Sequence, residues 1–146
     1  MTKRLRLRGH PLLLILVAMC GIAGAARSQD NKKEFKEGAE VYLQARCFAC
    51  HGNFGTGTLG PALSKNVLLV DNNFVISMIL LGRMEMPAFA HKLSNDQIAA
   101  VADYIRNSWG NSFGTVSPQD VANLRQRLRE AYEKTGATQK QRYPQR

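Results

Sequence analysis

Apolar residues recur at intervals of three and four in several stretches of the chain, and this spacing predicts α-helices. The first stretch predicts a helix from Lys32 to Arg46. The apolar positions on one face of this helix are Phe35, Ala39, Tyr42 and Leu43. No stretch alternates apolar and polar residues with a period of two, and no Asn-Gly hairpin signal occurs. The pattern therefore predicts an all-α fold.

Capping residues mark the ends of two further helices. Asp71 is the predicted N-cap of a short buried helix, which Gly82 ends in a left-handed conformation. Ser94 and Gln97 form a predicted capping box at the start of the next helix. Its apolar positions are Ile98, Val101, Ala102 and Ile105.

A last helix is predicted over residues 117–134, where Ser117 is followed by Pro118 and Asp120 at favourable first-turn positions. Its narrow apolar stripe consists of Val121, Leu124, Leu128 and Ala131. Arginines occupy the other faces. A solvated helix on the domain surface and a basic arm that binds an anionic partner both fit this pattern.

Two long segments between these helices contain residues that break regular structure. Residues 51–66 are rich in Gly, Asn, Thr and Pro, which predicts irregular backbone. In residues 83–92, Pro87 forces Met86 into an extended conformation, so that no helix continues through this point. Both segments need support from a source other than regular secondary structure.

The N-terminus has the composition of a secretory signal peptide. Basic residues precede an apolar run from Leu12 to Met19, and small residues follow up to Ala25. The run is shorter than the roughly 20 residues of a membrane-spanning helix. We therefore expect cleavage after Ala25 and export to the periplasm. Lipid attachment at Cys20 is a minor alternative, because Met19 is bulkier than the small residue that usually precedes a lipidated cysteine.

Removal of residues 1–25 changes the charge of the chain. It takes away four of the 20 Lys and Arg residues and none of the 11 Asp and Glu residues, which lowers the net charge from +9 to about +5. Residues 117–146 then carry much of the remaining positive charge. We expect a signal peptide over residues 1–25, one domain over 26–116 and a basic C-terminal helix and tail over 117–146.

Cys47, Cys50 and His51 form a C-x-x-C-H sequence, for which four interpretations compete. A structural zinc or iron–sulfur site needs four protein ligands, and one cysteine pair remains after processing. A thioredoxin-like redox pair opens a helix in a βαβ unit, whereas this pair closes a predicted helix and no strand is predicted. A disulfide between the two cysteines closes a very small loop and leaves His51 unexplained.

Covalent haem attachment accounts for all three residues. Both thiols form thioethers with the vinyl groups of the porphyrin, and the adjacent histidine binds the iron. A buried haem would also give the two irregular segments a surface to pack against. We therefore predict one covalently attached haem c, with its iron.

Residues 32–110 resemble the single-haem class I cytochromes c. The segments "LGPAL", "GRMEMPAF" and "LSNDQIAAVADYI" carry the resemblance beyond the haem motif. It implies the class I cytochrome c fold, with crossing N- and C-terminal helices, short middle helices and long loops around the haem, plus the extra basic helix. The residues that it places at the helix crossing are Gly38, Tyr42, Val101 and Tyr104, with Gly38 permitting close approach.

The resemblance also implies roles for residues at the iron. Pro61 would offer its carbonyl oxygen to the outer ring nitrogen of His51. Met86, directly before a proline, would be the sixth ligand. Met84 lacks the following proline, and a methionine in an apolar loop is often a packing residue. His91 is the strongest rival, because imidazole binds iron well. We place Met86 first and His91 second.

Ligation by both His51 and Met86 would leave no iron position open to substrate, and no carboxylate pair suggests acid–base catalysis. The resemblance therefore implies an electron-transfer protein rather than an enzyme. We expect it to accept single electrons from a periplasmic dehydrogenase, such as a quinoprotein alcohol or aldehyde dehydrogenase. A cytochrome c or a terminal oxidase would be the acceptor. The alternative is a haem enzyme or gas sensor with a displaceable sixth ligand.

The stretch "YIRNSWGNSFGTVSPQDV" resembles the end of cytochrome subunits that serve periplasmic dehydrogenases of alcohols, aldehydes or sugar acids. It implies a subunit or partner of such a complex. We expect no nucleic-acid partner. Membrane association is expected only through partners or through an uncleaved or lipidated N-terminus.

Overall fold

The computed structural model of the chain describes residue 33 and residues 35–135, which are helices joined by long loops. The helices are α1 over residues 35–44, α2 over Phe48–His51, α3 over Asn72–Leu81, α4 over Asn95–Arg106 and α5 over Pro118–Lys134, with a 3₁₀ helix over Val67–Val70. Within this part of the chain no strand forms, which confirms the all-α prediction. The predicted signal peptide and Cys20 lie outside the described residues. None of the described helices has the length and apolar composition needed to cross a bilayer.

The helix α1 ends at residue 44, two residues before its predicted end. The backbone of Arg46 has a positive φ of 59°, which breaks the helix. Cys47 is then the N-cap of the one-turn helix α2, and Cys50 lies inside it. The expectation that the cysteines close the preceding helix is therefore wrong, because the chain changes direction just before them.

The helices α1 and α4 cross at Gly38. A Cβ atom on Gly38 would overlap the carbonyl oxygen of Ala100 and would lie 2.7 Å from the Cβ atom of Tyr104. Glycine therefore lets the two backbones approach more closely than any side chain would allow. Tyr42 is buried one turn further along α1, and its ring centroid lies 5.6 Å from that of Tyr104. The close approach predicted at Gly38 is confirmed.

Asp71 and Gly82 bound α3, as predicted. The Asp71 carboxylate accepts hydrogen bonds from the backbone N–H groups of Asn73, at 2.8 Å, and Phe74, at 3.2 Å. Gly82 has a positive φ of 64°, but its ψ of 173° is extended rather than left-handed helical. The difference arises because the chain passes directly from Gly82 into a tight turn over residues 83–86.

Capping boxes begin both α4 and α5. The Ser94 hydroxyl accepts from the Gln97 N–H at 3.1 Å, and the Gln97 side chain accepts from the Ser94 N–H at 3.0 Å. Ser117 and Asp120 form the equivalent pair at α5. The predicted apolar positions of α4 are all buried, namely Ile98, Val101, Ala102 and Ile105. Local sequence signals therefore predicted the starts of both helices correctly.

The helix α5 packs against α3 and α4. Val121 and Leu124 are buried in the same hydrophobic core as the apolar face of α4. Leu128 is half-buried and Ala131 is exposed, so the predicted stripe reaches the core only in the first half of the helix. The proposed domain boundary after residue 116 stays a prediction.

We expect Gly38→Ala to lower the free energy of unfolding by about 1–3 kcal/mol, because the added methyl group overpacks the crossing with α4. The same substitution inside a helix ordinarily raises stability by roughly 0.5–1 kcal/mol. Chemical denaturation of the haem-loaded protein measures the change. Glu37→Ala, at the exposed neighbouring position, is the control and should change stability by less than about 0.5 kcal/mol. A Gly38→Ala protein as stable as its parent would contradict the close approach.

Candidate haem-attachment site

Cys47 and Cys50 lie three residues apart at the start of α2, and no disulfide joins them. Both side chains are half-buried. Burial, which disfavours the thiolate, raises the pKa of Cys47 to about 11, so this group is a protonated thiol at neutral pH. Among the residues that the structure describes, no three His, Cys, Asp or Glu side chains come together as a metal cluster. The pair is therefore available as two thiols on one turn of helix.

His51 is the last residue of α2, and its imidazole is 9% exposed. The ring Nδ1 lies 2.8 Å from the carbonyl oxygen of Pro61. Because a carbonyl oxygen can only accept, Nδ1 must carry the proton and donate, which leaves the lone pair on Nε2. The contact implied by the resemblance is present, and it selects the tautomer that binds iron through Nε2. Iron ligation by His51 itself stays a prediction.

Backbone hydrogen bonds fold the loop over residues 52–66 back onto α2. The Gly57 N–H donates to the His51 carbonyl oxygen at 2.8 Å, and the Gly60 N–H donates to the Cys50 carbonyl oxygen at 2.9 Å. A Cβ atom on Gly60 would lie 3.0 Å from Cε1 of the His51 ring. Glycine at this position therefore lets the backbone lie against the imidazole. The next residue of the loop is the proline whose carbonyl oxygen accepts from the ring.

Tyr42 connects α1 to this loop. Its buried hydroxyl donates to the carbonyl oxygen of Gly52, the residue after the histidine, at 2.7 Å. Its ring packs against Trp109 and Tyr104, with centroid distances of 5.3 and 5.6 Å. Burial raises the pKa of Tyr42, so the phenol stays protonated and remains a donor. The aromatic cluster therefore fixes the end of α2 relative to α1 and α4.

A tight turn presents Met86. Arg83 and Met86 exchange two backbone hydrogen bonds, of 3.1 and 2.9 Å. Met84, within the turn, has a positive φ of 52°, and its side chain is 93% exposed. The Met86 side chain is half-buried and packs against the hydrophobic core. The turn therefore separates the two methionines, and its geometry favours Met86 as the ligand. The ligand assignment stays a prediction.

His91, the rival ligand, lies beside α5. Its side chain is exposed at the edge of a cavity of about 450 Å³. Leu80 at the end of α3 and Leu128 and Tyr132 of α5 also line this cavity. The environments of the two candidates therefore differ: Met86 packs on the core and the exposed His91 borders this cavity.

Large apolar side chains on the loop after α2 and on the 3₁₀ helix are exposed. They are 61–90% exposed and comprise Phe54, Leu59, Val67, Leu68 and Val70. Apolar side chains of this size are usually buried, and exposed ones on the segments that follow α2 can contact a bound apolar group. A porphyrin is a large apolar group. Two thiols, an imidazole with an available Nε2 and exposed apolar side chains on the following segments therefore fit haem c.

Arg106 fixes the 3₁₀ helix, and the sequence pattern gave no sign of this role. Its side chain is 2% exposed. The guanidinium donates to the carbonyl oxygens of Leu69 at 2.8 Å and Val70 at 3.2 Å. It also donates to those of Gly114, at 2.7 Å, and Phe113. A basic residue in the last turn of a helix usually lies in solvent near the terminal carbonyls. Its burial here follows from contacts that are distant in sequence.

Residues 33–105 match the family described as "Cytochrome C oxidase, cbb3-type, subunit III". The chain is 35% identical over 104 residues to the "Alcohol dehydrogenase (quinone), cytochrome c subunit" of Gluconobacter oxydans (strain 621H), covering 60% of this chain and 22% of that protein. It is 31% identical over 121 residues to the "Fructose dehydrogenase cytochrome subunit" of Gluconobacter japonicus, covering 70% and 25%. The chain thus spans about a quarter of the length of these subunits.

Smaller proteins match over most of their length. The chain is 36% identical over 74 residues to "Cytochrome c6" of Leptolyngbya boryana, covering 47% of this chain and 85% of that protein. Among solved structures, cytochrome cL of Methylophaga aminisulfidivorans MPT superposes with a TM-score of 0.51 at 24% identity, covering 63% of this chain and 68% of that one. This likeness shows the fold, and it confirms the class I cytochrome c architecture.

We expect Arg106→Lys to lower the free energy of unfolding by about 2–4 kcal/mol, because one ammonium group cannot donate to carbonyls in four places and leaves some of them unsatisfied. Thermal or chemical denaturation of the haem-loaded protein measures the loss. Arg129→Lys, on the exposed face of α5, is the matched control and should stay within about 0.5 kcal/mol of the parent. Equal stability of the two variants would refute the role given to Arg106.

Proposed function

Because this chain belongs to the cytochrome c family, we propose that it carries single electrons from a periplasmic dehydrogenase toward a terminal oxidase and is not itself an enzyme. It is an electron-transfer cytochrome whose cofactor is covalently bound haem c. The haem supplies reversible one-electron chemistry at its iron. The observation that carries the proposal is the hydrogen bond from His51 to Pro61, beside two thiols on the same turn of helix.

Cys47 and Cys50 are the proposed attachment residues. Each thiol would hold the porphyrin as a thioether, with its sulfur on one carbon of a vinyl group and the thiol hydrogen on the other. His51, the next residue, would hold the iron through its Nε2 atom. Its tautomer and ring orientation are set by Pro61 before the iron binds, which reduces the cost of ordering the ring.

Met86 is the residue that would hold the iron as its second protein ligand. Its half-buried side chain is better placed for a permanent bond than the exposed side chain of Met84. With His51 and Met86 both bound, the iron would have no position for oxygen, peroxide or substrate. A thioether ligand raises the reduction potential relative to a second imidazole. The residues therefore suit a carrier that accepts electrons from a dehydrogenase and passes them to a more oxidising acceptor.

The relatives support a dehydrogenase as the electron donor. Three of them are described as cytochrome subunits of alcohol, fructose and gluconate dehydrogenases. We propose that this chain serves a dehydrogenase of that general class, as a subunit or as a separate partner. A cytochrome c or a terminal oxidase is the proposed acceptor. Export by the N-terminal signal would place the protein in the periplasm with such enzymes.

Met86→Ala should abolish the weak near-infrared absorption of the ferric protein, which arises from charge transfer between methionine sulfur and iron. The reduction potential should fall in the same variant, because the thioether ligand is lost. Absorption spectroscopy and a redox titration measure both effects. Met84→Ala and His91→Ala are the matched controls and should keep the band.

Two outcomes would contradict this assignment. If Met84→Ala or His91→Ala removed the band, the sixth ligand would be a different residue. If the ferric parent protein had no such band and the reduced parent protein bound carbon monoxide at once, the iron would have an open position. The chain would then be a haem enzyme or a gas sensor.

The donor is tested by adding the ferric protein to a periplasmic extract with ethanol, fructose or gluconate in separate samples. We expect one substrate to cause reduction, visible as the rise of the ferrous α-band, because its dehydrogenase delivers electrons to this chain. Samples without substrate and samples with heated extract are the controls. Failure of all three substrates would argue against this class of donor.

A further inference from the structure

The loop that presents Met86 is attached to α3 on one side. The Phe89 N–H donates to the Ile79 carbonyl oxygen at 3.0 Å, and the Ala90 N–H donates to the Leu80 carbonyl oxygen at 3.2 Å. These two bonds fix the loop three and four residues after Met86. The carbonyl groups of Ala90 and Leu93, in the later part of the loop, need donors from other segments.

Arg125 of α5 supplies these donors. Its Nη1 donates to the Ala90 carbonyl oxygen at 2.7 Å, and its Nη2 donates to the Leu93 carbonyl oxygen at 2.9 Å. Its Nε donates to the side chain of Asn95, the first residue of α4, at 2.8 Å. One rigid guanidinium thus joins the loop to the start of α4 in three directions. A lysine ammonium has no such planar arrangement of donors.

The arginine is held in place by the packing of its own helix. Leu124, its neighbour, is 7% exposed, and Val121 is fully buried in the core. Two residues further along, Arg127 donates to the side chain of Asn73 on α3 at 2.8 Å. The helix α5 is therefore attached to α3 as well as α4, and Arg125 acts from a fixed support.

We propose that Arg125 is a positioning residue that keeps Met86 bound to the iron, an inference that rests on the proposed ligation by Met86. Residue 125 lies beyond residues 33–105 that match the family, so this support comes from the C-terminal helix of this chain. A thioether is a soft ligand and binds ferric iron weakly. The bond therefore needs a loop that stays closed, and the guanidinium holds the loop between its attachment to α3 and the start of α4.

Imidazole binding to the ferric, haem-loaded protein measures how often the loop opens. Imidazole can bind only when Met86 has left the iron, so its apparent affinity rises with the fraction of open protein. Removal of the guanidinium bonds in Arg125→Gln should raise this affinity roughly 5- to 50-fold. The near-infrared methionine band should weaken in parallel, at temperatures far below unfolding.

Three variants separate positioning from general loss of stability. Arg127→Gln removes a contact to α3 without touching the loop, and its imidazole affinity should stay within about twofold of the parent. Arg106→Lys lowers stability through contacts to Leu69 and Gly114 and leaves the bonds of Arg125 in place, so it should unfold at lower denaturant and bind imidazole less tightly than Arg125→Gln. Arg125→Lys keeps the charge but cannot donate hydrogen bonds in the same three directions. Its imidazole affinity should lie between those of the parent and Arg125→Gln.

The inference is overturned if Arg125→Gln binds imidazole within about twofold of the parent, or no more tightly than Arg106→Lys. If Arg125→Gln does not fold, Arg125→Lys decides, and a change of less than about twofold in its imidazole affinity overturns the inference. Loss of the band in Met86→Ala together with an unaffected Arg125→Gln would refute the role of Arg125 alone. Retention of the band in Met86→Ala would refute the proposed ligand and this inference with it.

Discussion

The close crossing of α1 and α4 at Gly38 determines where α2, with the cysteines proposed to hold the haem, lies. Because the backbones touch at Gly38, Tyr42 one turn later comes into the aromatic cluster beside α4. The Tyr42 hydroxyl then binds the Gly52 carbonyl oxygen, and this contact fixes the residue that follows His51. The position of the imidazole therefore depends on a helix contact thirteen residues earlier in the chain. Any side chain at residue 38 would separate the two helices and thereby displace Tyr42, Gly52 and His51.

Polar side chains in this fold satisfy backbone groups that regular secondary structure satisfies in other folds. Long loops carry backbone carbonyl groups that must find donors. Arg106 donates to both the 3₁₀ helix and the loop after α4. Asn111, which is also buried, donates to the Leu63 carbonyl oxygen at 2.8 Å and accepts from the Asn66 N–H at 3.1 Å. The guanidinium of Arg125 in α5 donates to carbonyl oxygens of the loop after α3 in the same way. These irregular segments are therefore tied to the core by polar side chains.

Local signals in the sequence predicted most of the helices and the haem motif, and they missed the long-range polar contacts. The Ser94 capping box and the proline after Met86 act within four residues, so their effect is visible in the sequence alone. The break at Arg46 and the burial of Arg106 have no such local cause. The partners of Arg106 in the 3₁₀ helix lie 36 and 37 residues away, and no periodicity reports a contact at that distance. The sequence likewise predicted α5 as a helix without indicating that Arg125 reaches the methionine loop.

The two proposed iron ligands are held by different kinds of contact. His51 is fixed by bonds to a loop that begins at the next residue, and the partner of its ring is only ten residues away. Met86 depends on a loop whose other attachment is a side chain of α5, more than thirty residues further along the chain. Local contacts survive partial opening of a protein better than contacts between distant segments, because they require less of the chain to stay ordered. Separation of α5 from α4 therefore loosens the methionine loop while α2 and the loop bearing Pro61 keep their hydrogen bonds. The fold thus places the proposed methionine ligand on the loop with the long-range attachment, and a helix beyond the family match holds that loop.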